Sequence, residues 1–462
     1  MVSLGPLVSS LDATVVNLAL APLSRELHAS LAVIQWVSSG YLLALALVLP
    51  MSGWLVDRLG AKPVYLGGFA MFSLASLLCG TAHSTVSLIS FRLLQGASGG
   101  VLAPMAQMML ARTAGRHLTR VMSIVGGPVM LGPILGPPLA GVLLQHAGWH
   151  SLFLINVPIG VIGTILAWRV LPDDVSTNAS AFDLTGFLLL GPALAILLHG
   201  LEQVTGSASS APLGACEIAA AAILLGAFTR HSLLHGRSAL IDVRLFVGRT
   251  FRVAAATQFL SNCISFGGQL LMPLYLLMLA QKSPGSAGTL LAPAGLGMLC
   301  AFPAVAGLTE RFGPRWVSAG GACVALLSTL PFAFPHEHGL GSYEIGIAFF
   351  LRGAGMSCIN IPCLSAVYAI LPKDRIPTAA TAINIVQRLG GPMATTGLAT
   401  WLHHALSQKH SGMQAAFLQT FWILCALHVL TAILAVRLPA KIAVRRGSID
   451  ADDGGELLVS QE

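Results

Sequence analysis

Asp12 is the lone carboxylate of the apolar stretch Leu11-Asp12-Ala13-Thr14-Val15-Val16-Asn17-Leu18-Ala19-Leu20-Ala21-Pro22. At 1.5 Å of rise per residue, a helix beginning near residue 2 carries it about 15 Å inward, halfway through a hydrocarbon layer of about 30 Å. A charge at that depth costs at least about 2.5–3.5 kcal/mol, and such residues face a bundle interior or wet cavity, where they move protons, ions or substrate. Proton carrier is the leading reading; a structural cap, or a partner for one buried arginine, is the other.

Arg92 is an arginine of that kind. It shares a helical face with Gln95 and Gly99 by spacings of three and four. Its guanidinium keeps its charge, so it suits holding Asp12 or a nearby water, or binding backbone carbonyls. Two further polar faces lie in the C-terminal half: Gln258, Asn262, Ser265 and Gln269, and then Thr381, Asn384, Arg388, Gly391 and Thr395. Either face could line a water-filled cavity or hydrogen-bond to a neighbouring helix, and their occurrence together favours the cavity. No mid-helix acid of that half matches Arg388, which leaves an anionic substrate group, or Asp12 across the cavity, as its partner.

The other reactive side chains carry less. The eight cysteines lie in apolar segments without zinc or CxxC spacing, which indicates packing rather than disulfides or a metal. His336, His338, His403, His404 and His410 sit in outer loops with no firm ligand spacing, so no metal or other cofactor is expected. Glu202 and Glu217 flank an outer turn where solvation makes a carboxylate cheap, and no transport role falls to them.

The elements that must position these groups are helices in a membrane. With 55% hydrophobic and 9% charged residues, the chain is far more apolar than a soluble domain, which runs near 25% charged. No polar stretch is long enough for a soluble catalytic core, and clustered catalytic residues are lacking, so an enzyme is not expected. The first apolar run has neither a basic leader nor a small-residue cleavage site, and reads as a retained span. Apolar runs of spanning length fall near 2–22, 32–52, 63–82, 86–110, 119–145, 152–170, 184–203, 212–234, 251–277, 287–306, 316–335, 343–370, 376–402 and 414–436. That makes an all-α integral membrane protein of 14 transmembrane helices.

Of the 25 lysines and arginines, nineteen fall in loops on one side, three on the other, and three (Arg92, Arg352, Arg388) within spans. The basic side is cytoplasmic by the positive-inside rule, which puts both termini there. Topology thus explains the net charge of +7, and no nucleic-acid partner is implied. A repeat is visible. Asp57-Arg58-Leu59-Gly60-Ala61-Lys62 returns 253 residues later as Glu310-Arg311-Phe312-Gly313-Pro314-Arg315, and Gln95-Gly96-Ala97-Ser98-Gly99 is echoed by Arg352-Gly353-Ala354-Gly355. The loops correspond if the seventh and eighth spans are an insertion between two six-helix bundles. The expected divisions are 1–170, 171–250, 251–437 and a tail, 438–462, with a basic collar and a disordered acidic end. Paired halves around a midplane site are a transporter architecture.

These motifs resemble the major facilitator superfamily, in particular its fourteen-helix drug–proton antiporters, the EmrB/QacA-like multidrug exporters. Gly53, Asp57, Arg58, Gly60 and Lys62 match the superfamily's signature loop, with Ala61 in place of a basic residue; Glu310, Arg311, Gly313 and Arg315 are its second copy. Gly132, Gly136, Pro137 and Gly141 resemble the antiporter motif of the fifth helix, with Ala140 in place of one glycine. Leu11, Asp12, Thr14, Val16, Asn17, Ala19 and Leu20 match the first-helix motif, and Arg92, Gln95 and Gly96 the fourth-helix arginine motif. Gln35-Trp36, Tyr41 and the run from Trp149 to Gly160 extend the likeness, with His150 where the family has arginine.

The resemblance implies a major facilitator fold and a proton-coupled exporter of lipophilic drugs or toxic small molecules in a bacterial plasma (inner) membrane, hence antibiotic resistance. Asp12 and Arg92 would couple protons. Asn17, Gln35, Tyr41, Gln258, Asn262, Gln269, Asn384 and Arg388 would line the substrate cavity. One evident midspan acid suits a low proton stoichiometry and neutral or monocationic substrates. The expected partners are such small molecules and membrane lipids, with the chain a monomer. An exporter of an endogenous metabolite or lipid, or a carrier uncoupled from protons, is the alternative.

Overall fold

The computed structural model describes residues 3–29, 31–113, 120–121, 132, 136, 139–171, 182–206, 211–236, 239–335, 340–372, 375–407 and 412–440. The expected acidic tail lies outside them, as do Pro137 and most of the fifth apolar run. Among the described residues the elements are helices: Leu4–Glu26, Leu31–Val48 continued through Ser52–Leu59, Ala61–Gly80, Thr85–Thr113, His150–Leu154 continued through Asn156–Val170, Leu184–Gly206, Ala211–His235, Arg249–Leu274, Pro284–Thr329, Ser342–Ile370, Ile376–Ser407 and Met413–Ala435. Ten helical stretches are long and apolar enough to cross a membrane, and one of them, Ser286–Ala333, contains two passes broken at Gly313. Leu4–Glu26 and Ile376–Ser407 bring the described passes to thirteen, roughly consistent with fourteen.

The two loop motifs form one turn made twice. Gly60 has φ 86° and ψ 159°; Gly313 has φ 80° and ψ 161°. A side chain resists that left-handed backbone, so glycine at both positions is what lets the chain reverse without a longer loop. Packing repeats as well. A methyl group at Gly96 of the fourth helix would overlap the Tyr41 carbonyl of the second, and one at Gly353 of the twelfth would overlap the Ala294 carbonyl of the tenth.

Three cores divide the interior by depth. Near the arginine-rich loops, here the basic end, one core draws on both halves: Met105, Met108 and Met109 pack with Ile361, Tyr368, Ile376 and Ile383. Toward the opposite end the halves have separate cores, one around Val15, Val37, Trp149 and Phe153 and one around Tyr275, Phe332, Phe349 and Phe421. The halves are therefore joined at the basic end and cored apart at the other.

Asp183 ties the inserted pair together at the basic end. Its Oδ1 accepts from the Gly186 N–H at 2.8 Å and from His231 Nε2 at 2.8 Å, while Oδ2 accepts from the Leu240 N–H at 2.9 Å. Burial would raise this carboxyl, but the two N–H donors and His231 outweigh it and hold it below the ordinary value. Its contribution is present above the unfolded-state pKa and is lost as pH falls through the lower folded one. Asp183→Ala is expected to cost about 1–2 kcal/mol, as for a lost helix cap. The deficit, read by thermal melting in detergent at pH 7, should close as pH falls below the ordinary carboxylate range.

Candidate functional site

The site is built on the first helix and closed by four others. Asp12 is fully buried. Its Oδ2 accepts from Arg92 Nη1 at 2.6 Å, and its Oδ1 accepts from Gln95 Nε2 at 3.0 Å and Asn156 Nδ2 at 2.8 Å. Arg92 and Gln95 are one turn apart on the fourth helix; Asn156 comes from the sixth. A second rank holds these donors. Arg92 Nε donates to the Val37 carbonyl of the second helix at 2.8 Å, Nη1 also donates to Gln95 Oε1 at 2.7 Å, and Gln95 Nε2 reaches Ser76 Oγ of the third helix at 2.6 Å. The Tyr41 ring lies 4.3 Å from the guanidinium carbon, a cation–π contact, and its hydroxyl meets Ser9 Oγ at 2.8 Å.

The arrangement is a buried ion pair in which both oxygens of the anion are bonded. Leaving either charge there alone would be costly, so the pair and its donors act as one unit. Arg92 Nη2 and Asn156 Oδ1 have no hydrogen-bond partner among the described residues, so a donor and an acceptor flanking Asp12 remain unspent. A proton on Asp12 would remove the anion that Arg92, Gln95 and Asn156 all serve.

Several expected cavity residues have other work. Tyr41 is 1% exposed and belongs to the Arg92 cluster rather than to an open wall. Gln258 is fully buried; it donates to the Asn360 carbonyl at 2.8 Å and accepts from Gln387 at 2.9 Å, joining the ninth, twelfth and thirteenth helices. Asn384 donates to Gln107 Oε1 at 2.7 Å, which bonds the thirteenth helix to the fourth. All three are engaged in contacts between helices here, because helical spacing gives a shared face but not what the face meets. Asn262 and Gln269 retain exposure and bond within their own helix, to the Gln258 carbonyl and Ser265 Oγ. Arg388 is half-buried and close enough to Tyr41 for the two to interact electrostatically, while the oxygens of Asp12 are taken by other donors. The side chains of Asn17 and Gln35 lie outside the described residues.

The glycines Gly132 and Gly136 of the antiporter motif pack against the helix turn that bears Asp12. A methyl at Gly132 would come within 3.0 Å of the Leu11 nitrogen and Ser10 Oγ, and one at Gly136 would overlap Thr14 Oγ1. Gly141 has open space instead, so the groove does not extend to it. In the signature loop, Gly53 faces Pro377 and Thr381 of the thirteenth helix, Arg58 lies 5.6 Å from the Trp54 ring, and Asp57 and Lys62 are half-buried. In the second copy Glu310 and Arg311 are exposed, and Arg315 Nε donates to the Leu438 carbonyl at 2.8 Å.

The basic end is closed by bonds between the halves. Ser52 Oγ lies 3.0 Å from Thr381 Oγ1, Tyr368 donates to Gln107 Oε1 at 3.2 Å, and Asn384 shares that acceptor. The chain matches the model of the Major Facilitator Superfamily over residues 2–395 and again over 259–454. The chain belongs to this superfamily. It is a transporter, not an enzyme. It is 34% identical over 420 residues to a "Multidrug resistance protein B homolog" of Mycobacterium tuberculosis (strain ATCC 25618 / H37Rv), covering 88% of this chain and 76% of that one. Its fold is similar to that of the proton:xylose symporter XylE, with a TM-score of 0.65, 14% identity and coverage of 94% and 93%. It is also similar to the human organic anion transporter MFSD10, with a TM-score of 0.64, 16% identity and coverage of 94% and 97%.

Asn156 and Gln107 are two contributors to this transporter's interior that the sequence reading did not single out. Each is the lone amide in an otherwise apolar stretch, Leu154-Ile155-Asn156-Val157-Pro158 and Met105-Ala106-Gln107-Met108-Met109, and that isolation was the available signal.

Proposed function

We propose that this transporter exports lipophilic small molecules in exchange for protons, across a bacterial plasma membrane with both chain ends in the cytoplasm. The observation that carries the reading is Asp12, a fully buried carboxylate whose bonds to Arg92, Gln95 and Asn156 join the first, fourth and sixth helices. A proton arriving from the outer side neutralises Asp12 and frees its donors, and the helices they joined repack. Alternation between two packings of the halves then moves substrate past the midplane. The multidrug resistance name printed for the mycobacterial relative supports the substrate class. The proton serves as coupling ion, and with Asp12 the only fully buried carboxylate of a spanning helix among the described residues, the stoichiometry is low and the substrates are neutral or singly charged.

Substrate-induced pH change in proteoliposomes tests the proposal, with lipophilic cations and neutral drugs screened against the intact protein and Asp12→Asn. Antiport stands if a compound drives proton movement that the substitution abolishes while binding survives. Transport that continues without proton movement in both would sink it and leave an uncoupled carrier.

Closure at the basic end gives a second test. Ser52→Cys with Thr381→Cys replaces two hydroxyls 3.0 Å apart on opposite halves. Oxidation should cross-link them, stop transport in proteoliposomes and trap the basic end shut, with activity returning on reduction. Full activity in the cross-linked protein would mean that this contact does not open during transport.

A further inference from the structure

His199 of the seventh helix and Glu217 of the eighth form a polar pair between two candidate spanning helices. His199 Nδ1 and Glu217 Oε2 are 2.8 Å apart, each side chain a little over one-fifth exposed. Glu217 lies six residues into the helix that starts at Ala211, about 9 Å below its end. Glu217 is thus held against a side chain of the neighbouring helix rather than standing alone in the turn.

Gln203 Nε2 lies 3.3 Å from His199 Nε2, so the imidazole has a polar neighbour at both ring nitrogens. No lysine or arginine pairs with Glu217 among the described residues.

Beside it is a cavity of about 460 Å³, lined by Leu43 of the second helix, Ala195, Ile196 and His199 of the seventh, and Cys216, Glu217 and Ala220 of the eighth. That volume is within the usual range for small-molecule sites, and the walls are apolar apart from the pair and Cys216. Trp36 stands against His199 with ring centroids 5.5 Å apart and is 41% exposed, which offers an indole face to a cation.

We infer that the cavity between the second, seventh and eighth helices is a lateral binding site for a monovalent lipophilic cation, with Glu217 as its counter-charge. Apolar walls take the ligand's hydrocarbon, the Glu217 carboxylate its charge and Trp36 its face. An aminophospholipid carries its amine beside a phosphate that the mostly apolar walls would not serve, so a delocalised cation with an apolar surface is the better match. The site is separate from Asp12 and does not depend on proton antiport there.

Cys216 reports occupancy, because it is exposed and lines the cavity. The protein in nanodiscs is treated with a maleimide, and modification of Cys216 is read by peptide mass spectrometry over a titration of tetraphenylphosphonium. Protection is expected, with an apparent affinity about tenfold weaker in Glu217→Gln and protection lost in Ala220→Phe, which fills the cavity from an exposed position. Asp12→Asn should leave protection unchanged. Tetraphenylborate, an anion of the same shape, should not protect, and raising the phosphatidylethanolamine content of the nanodisc should not compete. Equal protection by both ions, or an affinity unchanged in Glu217→Gln and Ala220→Phe, overturns the inference, and competition by phosphatidylethanolamine reassigns the site to lipid.

Discussion

Replacing Arg92 by methionine is expected to cost about 3–5 kcal/mol of unfolding free energy, because it leaves the Asp12 carboxylate buried with no cation. The geometry makes the expectation specific. Arg92 Nη1 meets Asp12 Oδ2 at 2.6 Å with both side chains fully buried, so water cannot replace the lost partner at low cost. Asp12→Asn combined with Arg92→Met should recover most of the loss. An uncharged residue at position 12 needs no cation, and Gln95 and Asn156 still donate toward its oxygen. Denaturant melts of the two single variants and the double variant in detergent form the cycle that isolates the pair. Transport should be lost in all three variants, so the double variant separates folding from function. A double variant as unstable as the two single losses added together would show that the groups do not act as a pair.

Charged residues in apolar segments were the most legible part of this sequence. Asp12 and Arg92 stand out by type alone, and a midspan acid and arginine have few alternatives to one another once the helices pack. The turn at Gly60 was equally visible because its neighbours recur around Gly313, and both glycines adopt the left-handed backbone. What a polar face meets was not legible. Gln258 and Asn384 fall on regular helical stripes, yet one bonds within the C-terminal half and the other across to Gln107. Periodicity orients a face; neighbours decide whether it meets water or another helix, and they come from distant parts of the chain.

The closest helix crossing beside the site carries the other large effect: Gly96→Ala should lower both stability and transport. Its methyl group would overlap the Tyr41 carbonyl, which is backbone and cannot swing aside, so the second helix must retreat from the fourth. Overpacking of this kind costs about 1–3 kcal/mol or more. The displacement falls on residues that hold Arg92, since the Val37 carbonyl accepts from its Nε at 2.8 Å and the Tyr41 ring covers its guanidinium at 4.3 Å. Gly353→Ala, the matching position of the second half, meets the Ala294 carbonyl and should cost similar stability without touching Asp12. Gly226→Ala is the control, because open space surrounds that position in the eighth helix and alanine is the better helix former by about 0.5–1 kcal/mol. Thermal melts in detergent should therefore rank Gly226→Ala at or above the parent and the other two well below it, with Gly96→Ala showing the greater transport defect per folded molecule. If Gly96→Ala melts with Gly226→Ala, the second and fourth helices do not cross as closely as this, and the support of Arg92 by Val37 and Tyr41 falls with that contact.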